Sequence, residues 1–257
     1  MELSFASYVL VFPLVFLGGF IDSAAGGGGL ISLPAYYLAG LSPAYAAGSN
    51  KLSAFAGTFT ATLKYANSKQ IKWNVATVAL GASFIGSFFG AELFKIIPEK
   101  TISIIVLVVL PIMALLILSK NKRKKEVKNA KNTKYSILLA IIIGLCTGIY
   151  DGLIGPGTGT ILQLLFANVM GFNALLASGS ARLVNLGSNI GALISLISQG
   201  RIIYTLSIPA ALFGVMGNWL GANLALKKGE RFIQGLIIVV LCLLAFKTIY
   251  DLTQGGV

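Results

Sequence analysis

The chain has 257 residues, of which 56% are hydrophobic and 11% are charged, and it contains no histidine. Soluble domains carry about 25% charged residues, so this composition excludes an ordinary soluble protein and predicts an integral membrane protein. The net charge of +12 does not predict a nucleic-acid partner, because many of the cations cluster in one stretch that lacks the interleaved aromatic residues of a single-strand binder.

Eight segments along the chain are apolar and long enough to predict membrane-spanning helices. Two further apolar pieces, 30–40 and 158–170, are too short to span at about 1.5 Å per residue, so they predict half-helices that begin inside the membrane. The sequence therefore predicts an all-α polytopic membrane protein. The eight segments are approximately 5–25, 43–66, 73–96, 101–119, 135–152, 173–198, 202–226 and 232–250.

The chain contains an internal duplication, in which three motifs recur in the same order 129 to 131 residues apart. The duplication predicts two homologous transmembrane repeats of four helices each, 1–119 and 135–257, and leaves open whether they are parallel or inverted. The glycines of the third motif have the small-xxx-small spacing that is typical of close helix packing. The pairs are GGFIDSAAGGGG at 18–29 with TGIYDGLIGPGT at 147–158, GSNKL at 48–52 with GSARL at 179–183, and GSFFGA at 86–91 with GNWLGA at 217–222.

Residues 120–134, with the sequence KNKRKKEVKNAKNTK, join the two repeats and hold eight of the 20 Lys and Arg residues. A basic cluster between apolar segments is typical of a cytoplasmic loop, because positively charged loops are retained on that side of the membrane. Contact with anionic lipid headgroups is a second interpretation of the same stretch. A count of eight full spans places some basic residues on the same side as this loop, namely Lys64, Lys69, Lys72, Arg201 and Lys247. The same count places others on the opposite side, namely Lys95, Lys100, Lys227, Lys228 and Arg231.

The first helical region of each repeat is interrupted shortly after an aspartate, by four consecutive glycines in one copy and by Pro156 between two glycines in the other. Glycine destabilises a helix by about 1 kcal/mol relative to alanine and proline removes an amide donor, so both places are expected to unwind. Unwound backbone is not tolerated against lipid, so we expect it to line a cavity, where the half-helix N-termini attract an anion. Close helix packing through small residues is the alternative. The residues expected to contact the anion are Gly26, Gly27, Gly28, Gly29, Gly155, Gly157 and Thr158.

A cation follows each interruption, Lys51 within SNKL and Arg182 within SARLVNLGSN. A cation within a membrane span is costly, so it usually pairs with an anion or lines a pathway. Two interpretations remain open: the cations contact a bound anion, or they neutralise the two aspartates. The candidate substrate-binding residues of these segments are Ser49, Asn50, Lys51, Ser180, Arg182 and Asn185, and Ser188 and Asn189 complete the second segment.

Asp22 and Asp151 occupy equivalent positions and are candidates for proton coupling, because the ionisation of a desolvated carboxylate depends on its surroundings. The alternative is that each carboxylate accepts hydrogen bonds from backbone amides that the interruption frees. The two cysteines lie in apolar segments, so no metal or cofactor is expected. The nucleotide-binding pattern GxxxxGK[ST] is absent from the sequence, which disfavours transport driven by ATP.

At these residues the chain resembles the TauE/SafE family of membrane transporters. The resemblance rests on GGFIDSAAGGGGLISLPA, AAGSNKLSAFAGTFTATLKY, GIYDGLIGPGTG and ASGSARLVNLGSN, and it covers essentially the whole chain. It implies a multi-pass protein of the bacterial inner-membrane type, with seven or eight spans from an internal duplication. It also implies transport of sulfur-containing anions such as sulfite, sulfonates or sulfoacetate, and it does not select among them.

The leading hypothesis is a secondary transporter of a small anion that works by alternating access with proton coupling. A passive anion channel is the first alternative, and an intramembrane enzyme that uses Asp22 and Asp151 as a carboxylate pair is the second. The second is disfavoured because the sequence lacks histidine and the HExxH and GxSxG patterns. The expected partners are the anion and the lipid bilayer, and homo-oligomerisation is left open.

Overall fold

The computed structural model describes residues 4–98, 100–101, 104 and 133–229. Within these residues all regular secondary structure is helical, so the predicted all-α class is confirmed. A short 3₁₀ helix, Leu93–Lys95, follows the fourth α-helix. The α-helices are α1 Phe5–Ala25, α2 Gly29–Leu38, α3 Pro43–Asn67, α4 Trp73–Glu92, α5 Thr133–Leu153, α6 Thr158–Asn168, α7 Ala174–Ser198 and α8 Tyr204–Lys228.

Four of the described helices are long and apolar enough to cross a membrane: Phe5–Ala25, Trp73–Lys95, Tyr135–Leu153 and Ala174–Ser198. Helices α3 and α8 have 25 residues each, but their small and polar residues make them less apolar. The predicted segments 101–119 and 232–250 and the basic stretch fall almost entirely outside the described residues. Spans at 101–119 and 232–250 therefore stay a prediction.

The predicted half-helices are present as α2 and α6, with 10 and 11 residues. Helix α2 folds back along α1, since a Cβ atom on Gly18 would lie 3.0 Å from the Gly28 carbonyl oxygen and 3.2 Å from Ser32 Cβ. The turn between them has positive φ angles at Gly26 and Gly27, of 78° and 83°, which glycine adopts without the steric cost of a Cβ atom. Helices α1 and α2 therefore form a hairpin that returns to the end of the molecule at which α1 begins.

Two hydrophobic clusters lie at opposite ends of the bundle and are built from equivalent positions of the two halves. The start of α3 and the end of α7 belong to the first cluster, whereas the end of α3 and the start of α7 belong to the second. Helices α3 and α7 are therefore antiparallel. Residues of the first cluster include Val11, Leu33, Ala46, Ala91, Leu196 and Leu206, and their counterparts in the second are Ala140, Leu162, Ala177, Ala222, Tyr65 and Val75.

Hydrogen bonds at the helix ends also join each half to the equivalent part of the other half. Ile203 N, in the loop after α7, donates a hydrogen bond of 3.1 Å to Ser49 Oγ near the start of α3. Lys72 N, after α3, donates an equivalent bond of 3.1 Å to Ser180 Oγ near the start of α7. Each of these two serines therefore joins the start of its own helix to the loop that follows the antiparallel helix.

The predicted placement of Lys69 and Arg201 on one side is wrong, because they lie at opposite ends of α3. The Arg201 guanidinium lies 5.5 Å from the centre of the Tyr45 ring, at the start of α3. Lys69 follows the end of the same helix, which is about 35 Å away at 1.5 Å per residue. The count of eight spans treated the α1–α2 hairpin as one crossing, although the hairpin returns to its starting end.

The two halves pack mainly against each other rather than within themselves. Helix α4 packs on α5 and α7, and α8 packs on α1 and α3. Backbone contacts at glycines make this close approach possible, as the small-xxx-small spacing predicts. A Cβ atom on any of these glycines would collide with the main chain of the facing helix: Gly86 and Gly90 against α5, and Gly217 and Gly221 against α1.

Candidate functional site

The predicted interruptions are present in both halves, and they meet. Gly26 packs against the backbone of Gly159 and Thr160, and a Cβ atom on Gly29 would lie 3.2 Å from Pro156 Cα. Thr160 Oγ1 also donates a hydrogen bond of 3.2 Å to the Ala25 carbonyl oxygen. The tips of the two broken regions are therefore in direct contact within the molecule.

The two interruptions are stabilised differently. At the first, Gly28 N donates a hydrogen bond of 3.1 Å to Asp22 Oδ1, so this carboxylate holds the turn. At the second, the Tyr150 hydroxyl donates a bond of 2.6 Å to the Pro156 carbonyl oxygen. The role of binding a freed backbone amide, which the sequence suggested for both aspartates, is thus performed by Asp22.

Two ion pairs cross between the halves. Lys51 Nζ lies 2.6 Å from Asp151 Oδ2, and both side chains are buried, with exposed fractions of 7% and 3%. Arg182 Nη1 pairs with Asp22 Oδ2, where the arginine is 1% and the aspartate 16% exposed. The cation of each half therefore neutralises the aspartate of the other, which offsets the cost of burying four charges.

Polar side chains extend the first of these pairs into a network. Ser188 Oγ donates a hydrogen bond of 2.6 Å to Asp151 Oδ2, and Lys51 Nζ donates a second bond of 3.2 Å to Asn189 Oδ1. Asn189 Nδ2 in turn donates to Thr58 Oγ1 at 3.2 Å. Lys51 is therefore held between α5 and α7 by two acceptors.

A cavity lies between the two interruptions and the middle of α3 and α7. Its volume is about 50 Å³. Since one enclosed water needs about 10–15 Å³, the cavity has room for a small polyatomic ion. The predicted site residues that line it are Asp22, Gly27, Gly28, Gly29, Asn50, Lys51, Asp151, Gly155, Gly157, Thr158 and Asn185.

The remaining predicted residues do not line this cavity. Gly26 lies against the second interruption, and Arg182 packs beside Gly159. Ser49 and Ser180 accept the hydrogen bonds from the interhelical loops described above. These four residues therefore contact other parts of the fold rather than the cavity.

Asn218 of α8 also lines the cavity, although no site was predicted on this helix. Its Nδ2 donates a hydrogen bond of 2.9 Å to the Gly214 carbonyl oxygen, one helical turn earlier. Its position inside the repeated motif GNWLGA, where the other copy has Ser87, was the available signal. Ser53 and Thr58 on α3 are further polar lining residues that were not singled out.

Asp22 and Asp151 both line the cavity, but each forms an ion pair with a different cation, Asp22 with Arg182 and Asp151 with Lys51. A carboxylate pair for catalysis shares one proton between two adjacent groups, whereas these two aspartates accept hydrogen bonds from Gly28, Arg182 and Ser188. Among the described residues, no group of three or more His, Cys, Asp or Glu residues is placed to hold a metal ion.

Comparison with known proteins identifies a family model and several relatives that match nearly the whole chain. The model of the family described as "Sulfite exporter TauE/SafE" matches residues 11–248. The chain is 34% identical to "Probable membrane transporter protein YfcA" of Escherichia coli (strain K12), over 94% of this chain and 89% of that protein. It is 31% identical to "Probable membrane transporter protein ORF9" of Sinorhizobium sp, over 98% and 96% of the two chains. No solved structure matches the chain.

Proposed function

Because this chain belongs to the sulfite exporter TauE/SafE family of membrane transporters, we propose that it is a secondary transporter of a small sulfur-containing anion, such as sulfite or an organosulfonate. We place it in the cell membrane, as a multi-pass protein of the bacterial inner-membrane type. One observation carries the proposal: the two helix interruptions meet around a cavity that also contains a buried cation, Lys51.

The chemistry of the cavity favours an anion. Helices α2 and α6 begin at its wall, where Gly29 and Thr158 are lining residues. Each helix N-terminus carries roughly half a positive charge from the aligned peptide dipoles, and it presents backbone N–H groups to a ligand. Together with the Lys51 ammonium group, the two helix N-termini supply positive potential to a cavity that Asp22 and Asp151 also line.

Lys51 is the residue for which a bound anion and the Asp151 carboxylate compete. In this structure, Asp151 neutralises Lys51. Adding an anion would therefore leave an uncompensated negative charge at a buried site, which costs free energy. A proton on Asp151 removes that cost, because Lys51 then remains a cation for the anion. We therefore propose that the anion and the proton occupy the site together, with Asp151 as the proton acceptor.

The proposal includes two inverted repeats. The antiparallel α3 and α7, the exchanged hydrophobic clusters and the reciprocal serine contacts support an inverted relation. Each half then contributes one hairpin and three crossings, of which the third is segment 101–119 or 232–250. An odd number of crossings per half inverts the second copy relative to the first. Alternating access follows when the cavity opens towards one hydrophobic cluster and then towards the other.

Counterflow in proteoliposomes tests the proposed function. Vesicles preloaded with unlabelled sulfite are expected to accumulate labelled sulfite only when they contain the protein, because a carrier exchanges substrate from opposite sides. Trans-stimulation by ethanesulfonate would extend the substrate class to organosulfonates. Current that rises linearly with voltage, without exchange, would instead show a passive channel, and the absence of both would overturn transport of these anions.

A further inference from the structure

The helix bundle has two ends, which the course of α3 defines. The first end, where α3 begins, contains the first hydrophobic cluster, and the second end, where α3 stops, contains the second. Helix α4 starts at the second end, and a Cβ atom on Gly144 of α5 would collide with the carbonyl oxygen of Ala79. One turn further along both helices, Gly148 faces Ser83 in the same way. Helix α5 is therefore parallel to α4 and also begins at the second end.

Helices α1 and α8 run in the other direction, from the first end to the second. The loop before α8 is hydrogen-bonded to Ser49 at the start of α3. A Cβ atom on Gly217 of α8 would collide with the carbonyl oxygen of Phe16. One turn later in both helices, Gly221 faces Phe20 in the same way, so the two helices are parallel. Helix α1 therefore begins at the first end, and α8 stops at the second.

Basic residues are concentrated at the second end. Five described lysines lie in the last turns of α3 and α8 or in the short loop between α3 and α4: Lys64, Lys69, Lys72, Lys227 and Lys228. In the sequence, the eight cations of 120–134 directly precede α5, and Arg231 follows α8. The acidic residues of these same segments are Glu126 and Glu230.

The segments at the first end carry equal numbers of cations and acids: Lys95, Lys100, Arg201, Glu2, Glu92 and Glu99. One of these cations is also neutralised directly, since Lys95 Nζ lies 2.6 Å from Glu92 Oε2. The four charges at the interruptions neutralise each other in pairs. The net charge of +12 therefore belongs almost entirely to the second end.

Such a charge difference determines how a membrane protein is oriented. Cationic segments next to membrane spans are retained in the cytoplasm, and the anionic headgroups of the cytoplasmic leaflet attract them. The count of eight spans did not show the difference, because it placed Lys227 and Lys228 on the opposite side from Lys69 and Lys72. In the structure, the return of the α1–α2 hairpin puts these four lysines at the same end.

We propose that the second end is the cytoplasmic face of the protein and that α1 begins on the outer side of the membrane. The second hydrophobic cluster then separates the cavity from the cytoplasm, and the first cluster separates it from the outside. An anion that approaches from the cytoplasm meets the lysines of the second end, which raise its local concentration. This inference does not depend on which anion is transported.

Labelling of single cysteines in spheroplasts of an expressing bacterium tests the orientation. The background is the full chain with Cys146→Ser and Cys242→Ser, since these are its two cysteines. Ser198→Cys and Ser68→Cys form a matched pair: both serines are exposed, one at the last residue of α7 and the other just after α3. A membrane-impermeant maleimide is expected to label Ser198→Cys in sealed spheroplasts and Ser68→Cys only after permeabilisation.

An unlabelled soluble cytoplasmic protein shows that the spheroplasts are sealed, and labelling after denaturation measures the total cysteine. If either variant does not fold, Ser4→Cys replaces the reporter of the first end and Asn67→Cys that of the second. The reverse labelling pattern, or equal labelling of both variants before permeabilisation, would overturn the orientation and leave the proposed function standing. The expected pattern together with failure of sulfite counterflow would overturn the proposed function alone.

Discussion

The two crossed ion pairs come from equivalent positions of a duplicated sequence, yet they occupy different surroundings. Lys51 and Asp151 both line the cavity, whereas Arg182 does not and is only 1% exposed. Asp22, the partner of Arg182, also holds the turn between α1 and α2. The duplication supplied the same charges twice, but only one cation lies where a ligand can reach it.

The neighbours of each pair explain the difference. The Arg182 guanidinium occupies the space that a side chain at position 159 would fill, because residue 159 is glycine. Its position is therefore fixed by the second interruption. Around Lys51, α7 provides Ser188 and Asn189, which bond to the ion pair. The equivalent positions of α3 are Gly57 and Thr58. A flexible lysine in a polar network can change partners, whereas a packed planar guanidinium serves to join helices.

Arg182→Met is expected to produce the largest effect on folding. It removes the buried guanidinium that packs against Gly159 and leaves the Asp22 carboxylate, which is only 16% exposed, without its cation. Breaking a largely buried pair in this way costs about 3 kcal/mol or more. The measurement is the melting temperature of the detergent-solubilised protein, followed by size-exclusion chromatography. The double variant Asp22→Asn with Arg182→Met should recover part of the loss, and a melting temperature equal to wild type in Arg182→Met would refute a joining role.

Lys51→Met is expected to have the largest effect on transport relative to folding. Counterflow should fall about 100-fold, because a charge-assisted hydrogen bond to the anion contributes up to about 3 kcal/mol. Folding should suffer less than in Arg182→Met, because Arg182 also packs tightly against Gly159 at the second interruption, whereas Lys51 leaves room for a Cβ atom on Gly155. The two methionine variants are compared by transport per amount of folded protein. Comparable specific transport in both would remove the functional distinction between the pairs.

Gly28→Ala and Gly155→Ala separate steric from conformational requirements at the two interruptions. A Cβ atom on Gly28 would collide with the Gly18 carbonyl oxygen and Asp22 Cβ, so the α1–α2 hairpin should be strongly destabilised. Gly155 has a φ of 87° and no clash, so alanine there should cost only about 1–2 kcal/mol. Melting temperatures measure both effects.

Gly81→Ala is the control for these variants, because Gly81 lies within α4 and a Cβ atom there meets nothing within 4 Å. This substitution is expected to be neutral or to stabilise by up to about 1 kcal/mol, the difference in helix propensity. If Gly28→Ala melts at the same temperature as this control, the close packing inferred for the hairpin is incorrect.

Asp151→Asn is expected to have the smallest effect on exchange and a specific effect on coupling. Asparagine imitates the protonated carboxyl, so Lys51 remains available to the anion at every pH. Sulfite counterflow should persist, whereas uptake driven by a pH gradient should disappear. Uptake that still follows the pH gradient in this variant would exclude Asp151 as the proton acceptor.

The parts of the fold that depend on local chemistry could be predicted from the sequence. The interruptions and half-helices follow from glycine and proline in the chain, and the observed starts at Gly29 and Thr158 lie within one residue of those expected. The antiparallel relation of α3 and α7 could not be predicted, because it depends on whether the first helical region crosses the membrane or returns.

The candidate site was predicted only in part for a similar reason. Lys51 and the interruptions stood out because charges and consecutive glycines are unusual in apolar segments. Asn218 did not, because a single amide in an apolar helix is compatible with ordinary packing. Its significance depends on the carbonyl it faces and on the cavity beside it, and both are products of tertiary structure.

The matching hydrophobic clusters at the two ends have an energetic consequence. Since each is assembled from counterpart residues, loosening either one exposes a comparable apolar surface. In the alternating-access carrier proposed above, the inward-open and outward-open conformations would therefore have similar free energies. The direction of net flux would then be set by the combined gradients of the anion and the coupled proton, so the same proposed carrier would work as an exporter or as an importer.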